Sequence, residues 1–460
     1  ASTSFSGSFD SSNWTFASTL TNLTIGSESN TANINLDSSI SMAGPVTLLG
    51  GDISLDNDLT VTGSGASVLI KSSGNISLVG EKSISTEGGN VIFWANRDGQ
   101  ATDSYVALRS DFDSTAGATI ETNGGHIWIG GGSGTVNWNG LSVGDGHAVS
   151  GGLIEFLSDP AGRSAKSGVF LQGVRLLSGG GDIRIAGKSE QDFGRGVITS
   201  GRVEINSDAG TVELQALATN GAGAFGAGWN HISESTAMNG NLTITSSNAT
   251  STAILINADA TSSHVTAGSI EDEGTGLTGV VSLTALHGGG VTFNSLGSST
   301  RSDALGLRLG YGDSQKGHLE MRSSSGDVTL NVGERGVHAY SNDTSVTLGL
   351  KGSTAIQSSS ATLRLIATDL SASGPFSFHT TGTVGIEPAS QSFSSNVNLD
   401  GWTFASTVSG LTIGKPQNSA GIAVSAATTI DGSIQLYGGS VTVDERLAST
   451  SGDVTINSSS

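Results

Sequence analysis

Few residues in this chain stand where they could do chemistry. Asp111 and Asp113, in Ser110-Asp-Phe-Asp-Ser114, lie two apart and would share one face of a strand, as would Asp182 and Arg184. Cleavage of a glycosidic bond needs two carboxylates at a defined separation. A solvated alternating strand produces the same pairs with no chemistry attached, and the Asp/His/Arg/Lys clusters of pectin-cleaving enzymes are missing. The eight histidines contain no pair at metal-ligand spacing. No nucleophile elbow, phosphate loop or dinucleotide fingerprint stands between a strand and a helix. Gly130-Gly131-Gly132-Ser133-Gly134 reads as a turn. The chain is therefore expected not to be an enzyme. Asp98, Asp103, Asp111 and Asp113 gather in one acidic neighbourhood. Calcium, which takes six to eight oxygens, is the ion they would suit. No calcium-loop motif accompanies them, so a solvated acidic loop is the plainer reading, and no other cofactor is expected.

Tryptophan offers a second kind of chemistry, stacking on sugar rings. Trp138, in Asn137-Trp-Asn-Gly140, and Trp229, in Gly228-Trp-Asn-His231, sit in polar surroundings and are the binding candidates. Trp94 and Trp128 lie in apolar runs and are expected to pack in or beside a core. Trp14 and Trp402 are a different case, because their surroundings repeat.

Trp14-Thr-Phe-Ala-Ser-Thr19 recurs as Trp402-Thr-Phe-Ala-Ser-Thr407, a step of 402 − 14 = 388. Leu23-Thr-Ile-Gly26 recurs as Leu411-Thr-Ile-Gly414 at the same step. Residues 1–59 and 389–447 agree at 24 of 59 positions without a gap. Self-similarity at a fixed period marks a repeat architecture. Residues 1–388 read as one module and 389–460 as the start of the next, continuing the same rod, so the chain is read as a window on a longer tandem array. Aromatics are only 5% of the chain, yet Phe5, Trp14 and Phe16 return as Phe393, Trp402 and Phe404. They are expected to pack where one module meets the next, with Trp402 largely buried.

The elements that carry these residues are short runs alternating with period two, such as Val46-Thr-Leu-Leu, Asn75-Ile-Ser-Leu and Gly326-Asp-Val-Thr-Leu. Glycine, 68 of 460 residues against only 5 prolines, punctuates them. No segment shows the helical apolar period with caps. Sandwich domains would need longer strands and regular linkers. An all-β, single-stranded parallel β-helix, a solenoid, fits instead. With about 20–25 residues per coil, a module would hold roughly 16–19 coils. Residues 96–117, 137–151, 159–168, 186–196 and 219–235 break the rhythm and read as loops projecting from coils.

The formal net charge of −20 disfavours nucleic acid, which needs a basic footprint. No apolar run is long enough to span a membrane as a helix. Cysteine is absent, which removes disulfides and thiolate sites.

Gly89-Asn-Val-Ile-Phe-Trp-Ala95, Ala118 through Gly130 and Gly180-Gly-Asp-Ile-Arg-Ile185 resemble coils of filamentous-haemagglutinin-like giant proteins of bacteria. The likeness runs over most of the chain. It implies a right-handed parallel β-helix in tandem long modules, secreted and displayed outside the cell or on its surface. It implies a role in adhesion, aggregation or biofilm formation. The expected partners are neighbouring copies of the module, lateral copies of the rod, or surface glycans. The alternatives are a self-assembling sheath or matrix fibre and a β-helix polysaccharide lyase or glycosidase.

Overall fold

Alternation with period two sends every second side chain inward, and here the inward residues of successive strands lie directly over one another. The computed structural model describes residues 4–99, 104–110, 117–150, 167–190, 194–219, 223–227, 241–250, 252–260, 266–270, 278–297, 306–310, 316–333, 336–339, 344–349, 359–371 and 374–458. Among them there is no α-helix. Contacts divide the chain into two compact units, the first running to Gly226 and taking in Leu242, the second running from Thr243 onward.

The first unit is a parallel β-helix with three faces. On the second face, Leu23–Gly26, Val46–Gly50, Val68–Ser72, Val91–Ala95, Ile127–Trp138, Ile183–Ser189 and Val212–Ala218 follow one another as rungs. Leu48, Ile70, Phe93, Ile129, Ile185 and Leu214 pair in register down this face, and each is fully buried. The first face stacks strands from Phe9–Asp10 to Arg195–Ser200, and the third stacks strands from Ile40–Met42 to Val203–Asn206. Backbone donors and acceptors of an inner strand thus find their partners in the coil before or after it.

The second unit repeats the plan. Its second face runs from Thr252–Ala260 to Val454–Ser458, with Ile256, Phe293, Leu330, Leu365, Ile386, Ile413, Leu436 and Ile456 in one row. Pro388, where the sequence is about to start over, falls inside this unit, and the row passes through it.

Coil length departs from expectation. Val46, Val68 and Val91 hold the same place on successive coils, at the expected steps of 68 − 46 = 22 and 91 − 68 = 23. From Val91 to Ile127 the step is 127 − 91 = 36. From Ile254 to Val291 and from Val291 to Val328 it is 291 − 254 = 37 and 328 − 291 = 37. Among the described residues the second face consequently has seven rungs in the first unit and five more up to Glu387. That is fewer than the roughly 16–19 that a uniform short coil would give. The core requires only that the strands stack. The connections between them are free to lengthen at the surface.

The corner after the third face is tightly packed. Thr86, Thr122, Ser178 and Ser207 are buried there, and each hydroxyl donates to the carbonyl of the glycine three residues on: Gly89 at 2.6 Å, Gly125 at 2.5 Å, Gly181, and Gly210 at 2.7 Å. Three of the same hydroxyls lie 3.1–3.3 Å from backbone oxygens of the next coil, Thr86 below Thr122, Thr122 below Ser178 and Ser178 below Ser207. The glycines form a column of their own. A Cβ on Gly125 would come within 2.0 Å of the Gly89 carbonyl, one on Gly181 within 2.1 Å of Gly125, and one on Gly210 within 2.0 Å of Gly181. No side chain fits.

Gly125→Ala is therefore expected to destabilise the protein by about 1–3 kcal/mol, the usual range for overpacking. Gly7→Ala, where an added Cβ meets nothing within 4 Å, should change stability by no more than about 0.5 kcal/mol. Urea unfolding of the two variants beside the parent measures the difference.

Candidate functional site

Two copies of one local structure, one repeat step apart, can be compared within this chain. Asn30 and Asn418 anchor them. The Asn30 amide oxygen accepts from the Phe5 backbone N–H (3.1 Å), the Ser4 hydroxyl (2.9 Å) and the Ala32 N–H (3.2 Å), while its amide nitrogen donates to the Leu49 carbonyl (2.9 Å). Asn418 does the same with Phe393 (3.1 Å), Ser392 (2.9 Å), Ala420 (3.2 Å) and the Tyr437 carbonyl (2.7 Å). A hydrogen bond closes the turn into each tryptophan, from the Trp14 N–H to the Ser11 carbonyl at 2.8 Å and from the Trp402 N–H to the Leu399 carbonyl at 3.1 Å, although only the second turn has a left-handed residue, Gly401 at φ 73°. The sequence reading passed over both asparagines. Their recurrence at the repeat step was the signal that could have found them.

The surroundings of the two copies differ. Trp402 is 3% exposed and Phe393 4%, whereas Trp14 is 55% exposed and Phe5 40%. Trp402 packs on Phe376 (4.7 Å between ring centroids) and Phe378 (6.1 Å), and Phe404 stacks flat on Phe378 at 5.1 Å. Phe376 and Phe378 belong to the coil that precedes the second copy. That coil also accepts the Ala405 N–H at the Phe378 carbonyl (2.9 Å) and the Gly414 N–H at the Ile386 carbonyl (2.8 Å). In the first copy Phe5, Phe9, Trp14 and Phe16 pack on one another along a chain of centroid distances of 5.8, 5.2 and 6.3 Å. They line an open groove of about 460 Å³ whose floor includes Ile25.

Trp138 is not in a projecting loop. It ends the strand Ile127–Trp138, which turns back antiparallel as Leu141–Gly146, with Trp138 opposite Leu141 and Val136 opposite Val143. Asn139 and Gly140 both have positive φ, 50° and 80°. An Asn-Gly pair between alternating residues is a strong hairpin signal, and the loop reading of 137–151 missed it. The run Gly130 to Gly134 is likewise strand and not turn: a Cβ on Gly130 would strike the Trp128 ring at 2.8 Å, and one on Gly134 would strike Asp145 at 2.1 Å. The hairpin lies over the outside of the second face and closes a small apolar cluster of Trp94, Trp128, Val143, Leu69 and half-buried Trp138. The Trp94 indole N–H donates to the Gly132 carbonyl at 2.7 Å, and the Lys71 ammonium sits 4.1 Å above the Trp94 ring. Trp138 also meets the His126 ring edge-on at 5.5 Å.

Asp182 ties this hairpin to the coils. Its carboxylate accepts from the Thr211 N–H (2.6 Å), the Thr211 hydroxyl (3.0 Å) and the Asn139 amide. Its own N–H donates to His126 Nδ1 at 2.8 Å. Arg184 faces Glu213 at 3.5 Å and Gln215 at 3.2 Å. Both members of this pair are engaged in joining successive coils. Of the acidic set, Asp98 is exposed on its loop, while Asp103, Asp111 and Asp113 lie outside the described residues, as does Trp229. Among the described residues no three metal-ligating groups come together. Arg97, beside Asp98 in a stretch read as a projecting loop, is instead buried and reaches back to the carbonyls of Ser27 (3.2 Å) and Asn30.

The fold and this paired site define a parallel β-helix in which one local structure recurs 388 residues on, with an aromatic contact at the second copy. No protein-family model matches the chain, and neither a curated protein nor a solved structure is detectably similar to it.

Two measurements test these contacts. Trp402→Ala is expected to cost about 3–5 kcal/mol, as for a buried aromatic, and Trp14→Ala about 0.5 kcal/mol or less, read from denaturant unfolding of the full chain. At the base of the hairpin, burial and then the nearby Lys188 and Arg184 charges hold the His147 imidazole below its ordinary range. A lowered folded value favours the neutral ring, so this stability is complete above the ordinary imidazole range and is lost as pH falls through the folded value. Protection of the Trp94 indole proton, taken relative to the intrinsic exchange rate at each pH, should therefore fall as pH drops below the ordinary imidazole range, and His147→Gln should flatten that dependence.

Proposed function

We propose that the chain is a structural and adhesive repeat module of a giant extracellular bacterial fibre of the filamentous-haemagglutinin-like kind. One observation carries the reading. The in-register ladder runs from Leu363–Ala367 through Thr383–Glu387 into Gly410–Ile413 and Ser433–Gly438, across the point where the module sequence starts over. A polypeptide that restarts its sequence without interrupting its coils can lengthen without limit. Residues 1–388 are then one module and 389–460 the opening of the next.

The mechanism is geometric. Each coil adds about 4.8 Å along the local axis, and parallel ladders with a continuous apolar core make the product stiff. Weak contacts distributed along many modules add up as avidity. The excess of acidic residues, 40 against 20 basic, keeps such rods soluble and mutually repelling. Attachment to surface glycans or to other rods would use the side chains that project from the coils.

Polypeptides of one, two and three modules, compared by electron microscopy and small-angle scattering, test the reading. Rods of constant width whose length grows by an equal step per module are expected. Particles that thicken, or that separate into beads on flexible linkers, would defeat it.

A further inference from the structure

The first copy of the repeat presents an aromatic face whose counterpart, one repeat step on, is covered, and the covering residues are known. We infer that the groove lined by Phe5, Phe9, Trp14 and Phe16 is the receiving half of a junction, and that its occupant is a coil of the kind formed by residues 361–388, supplied by a preceding copy of the module. This rests on the fibre reading and deepens it by naming the partner and its contacts.

The argument is one of continuity with an interface already present in the chain. The two copies have the same asparagine anchor, the same bond from the tryptophan N–H to the carbonyl three residues back, and a left-handed glycine at the end of the strand, Gly26 at φ 87° and Gly414 at φ 84°. The receiving surface therefore has these features in both. In the second copy its occupant is specified atom by atom. Phe376 and Phe378 sit on Trp402 and Phe404, and the Phe378 and Ile386 carbonyls take the Ala405 and Gly414 N–H groups. The Thr380 carbonyl accepts from the Thr407 hydroxyl at 2.9 Å, and the Ser377 hydroxyl accepts from the Thr403 hydroxyl at 2.9 Å. Each of these donors on the receiving side has its equivalent in the first copy: Thr15, Ala17, Thr19 and Gly26 stand for Thr403, Ala405, Thr407 and Gly414.

The chemistry of the occupant follows. It must be an extended strand with two aromatic residues two apart, so that both face the groove. It must also offer carbonyls in parallel register beyond them. A sugar or a helix would meet the aromatic groove but could not accept the N–H groups of Ala17 and Gly26 at strand spacing. The residues that do not repeat fit the same division. Phe9, on the open groove, is replaced at the equivalent position by Val397, which is buried.

The test extends the full chain at its amino end with a second copy of residues 361–388, joined directly to Ala1 as Pro388 is joined to Ala389. Hydroxyl-radical footprinting read by mass spectrometry then reports each tryptophan separately. Modification of Trp14 should fall to the level of Trp402, and replacing both phenylalanines of the added segment by serine should return it to the level of the unextended chain. Trp14 remaining as reactive as before, in a chain whose Trp402 stays protected, would overturn the inference. A second variant guards against an added segment that does not fold. Phe376→Ser with Phe378→Ser in the parent chain should raise Trp402 to the reactivity of Trp14 while Trp128 stays protected, and an unchanged Trp402 would equally overturn it. The fibre reading is scored apart from this. Rods that lengthen with module number while Trp14 stays reactive would remove the junction alone, whereas a protected Trp14 in an assembly without rods would remove the fibre alone.

Discussion

Everything in this molecule depends on how closely one coil can lie on the next. Parallel ladders set that separation, about 4.8 Å, and corners must keep to it although they lack the regular pairing of strands. The column of Gly89, Gly125, Gly181 and Gly210 shows how this is done. Each lies so near a carbonyl of the coil before that even a methyl group would overlap it. The buried hydroxyls of Thr86, Thr122, Ser178 and Ser207 supply the hydrogen bonds that these turn carbonyls would otherwise lose with water. Glycine is abundant here because the backbone approaches itself at the turns, and Ser and Thr are abundant partly because close approach leaves carbonyls to be satisfied.

In-register stacking also places like side chains over like. For apolar residues this is favourable, and the Leu48 to Leu214 row is the result. For charges it is not. Burial, then the neighbouring Asp10 and Asp56 carboxylates, push the Asp37 carboxyl above its ordinary range. Elsewhere the problem is resolved by alternation of sign, as where Arg175 meets Glu204 at 2.9 Å and Arg364 meets Glu387 at 3.2 Å on adjacent coils. A helical end is the extreme case of the same geometry, because its last coil presents strand edges and apolar rows with no coil over them. Such an edge is a site for association.

The fold is legible in the sequence where the signal is local and periodic. Alternation in runs such as Val46 to Leu49 predicted strands, and glycine-rich punctuation predicted a solenoid, because side-chain direction in a strand is a property of the backbone alone. The Asn139-Gly140 hairpin is equally legible, as an Asn-Gly pair between alternating residues. Coil lengths were not legible. The long steps from Val91 to Ile127 and from Ile254 to Val291 include stretches with no sequence period, and stacking constrains the strands and not what joins them.

The sequence by itself determined the type of coil, the repeat step of 402 − 14 = 388 and the turn that closes the shared six-residue run, where the Ala17 and Ala405 carbonyls accept from the Leu20 and Val408 N–H groups, each at 3.1 Å. What it did not determine is burial. Trp14 and Trp402 lead the same six-residue run and have opposite exposures, because a tryptophan on a coil edge is covered by residues of another coil. Only the tertiary structure decides which coil that is. The hydrophobic contribution of a side chain is fixed by the area its neighbours remove from water, and those neighbours lie a whole coil away along the chain and one strand spacing away in space.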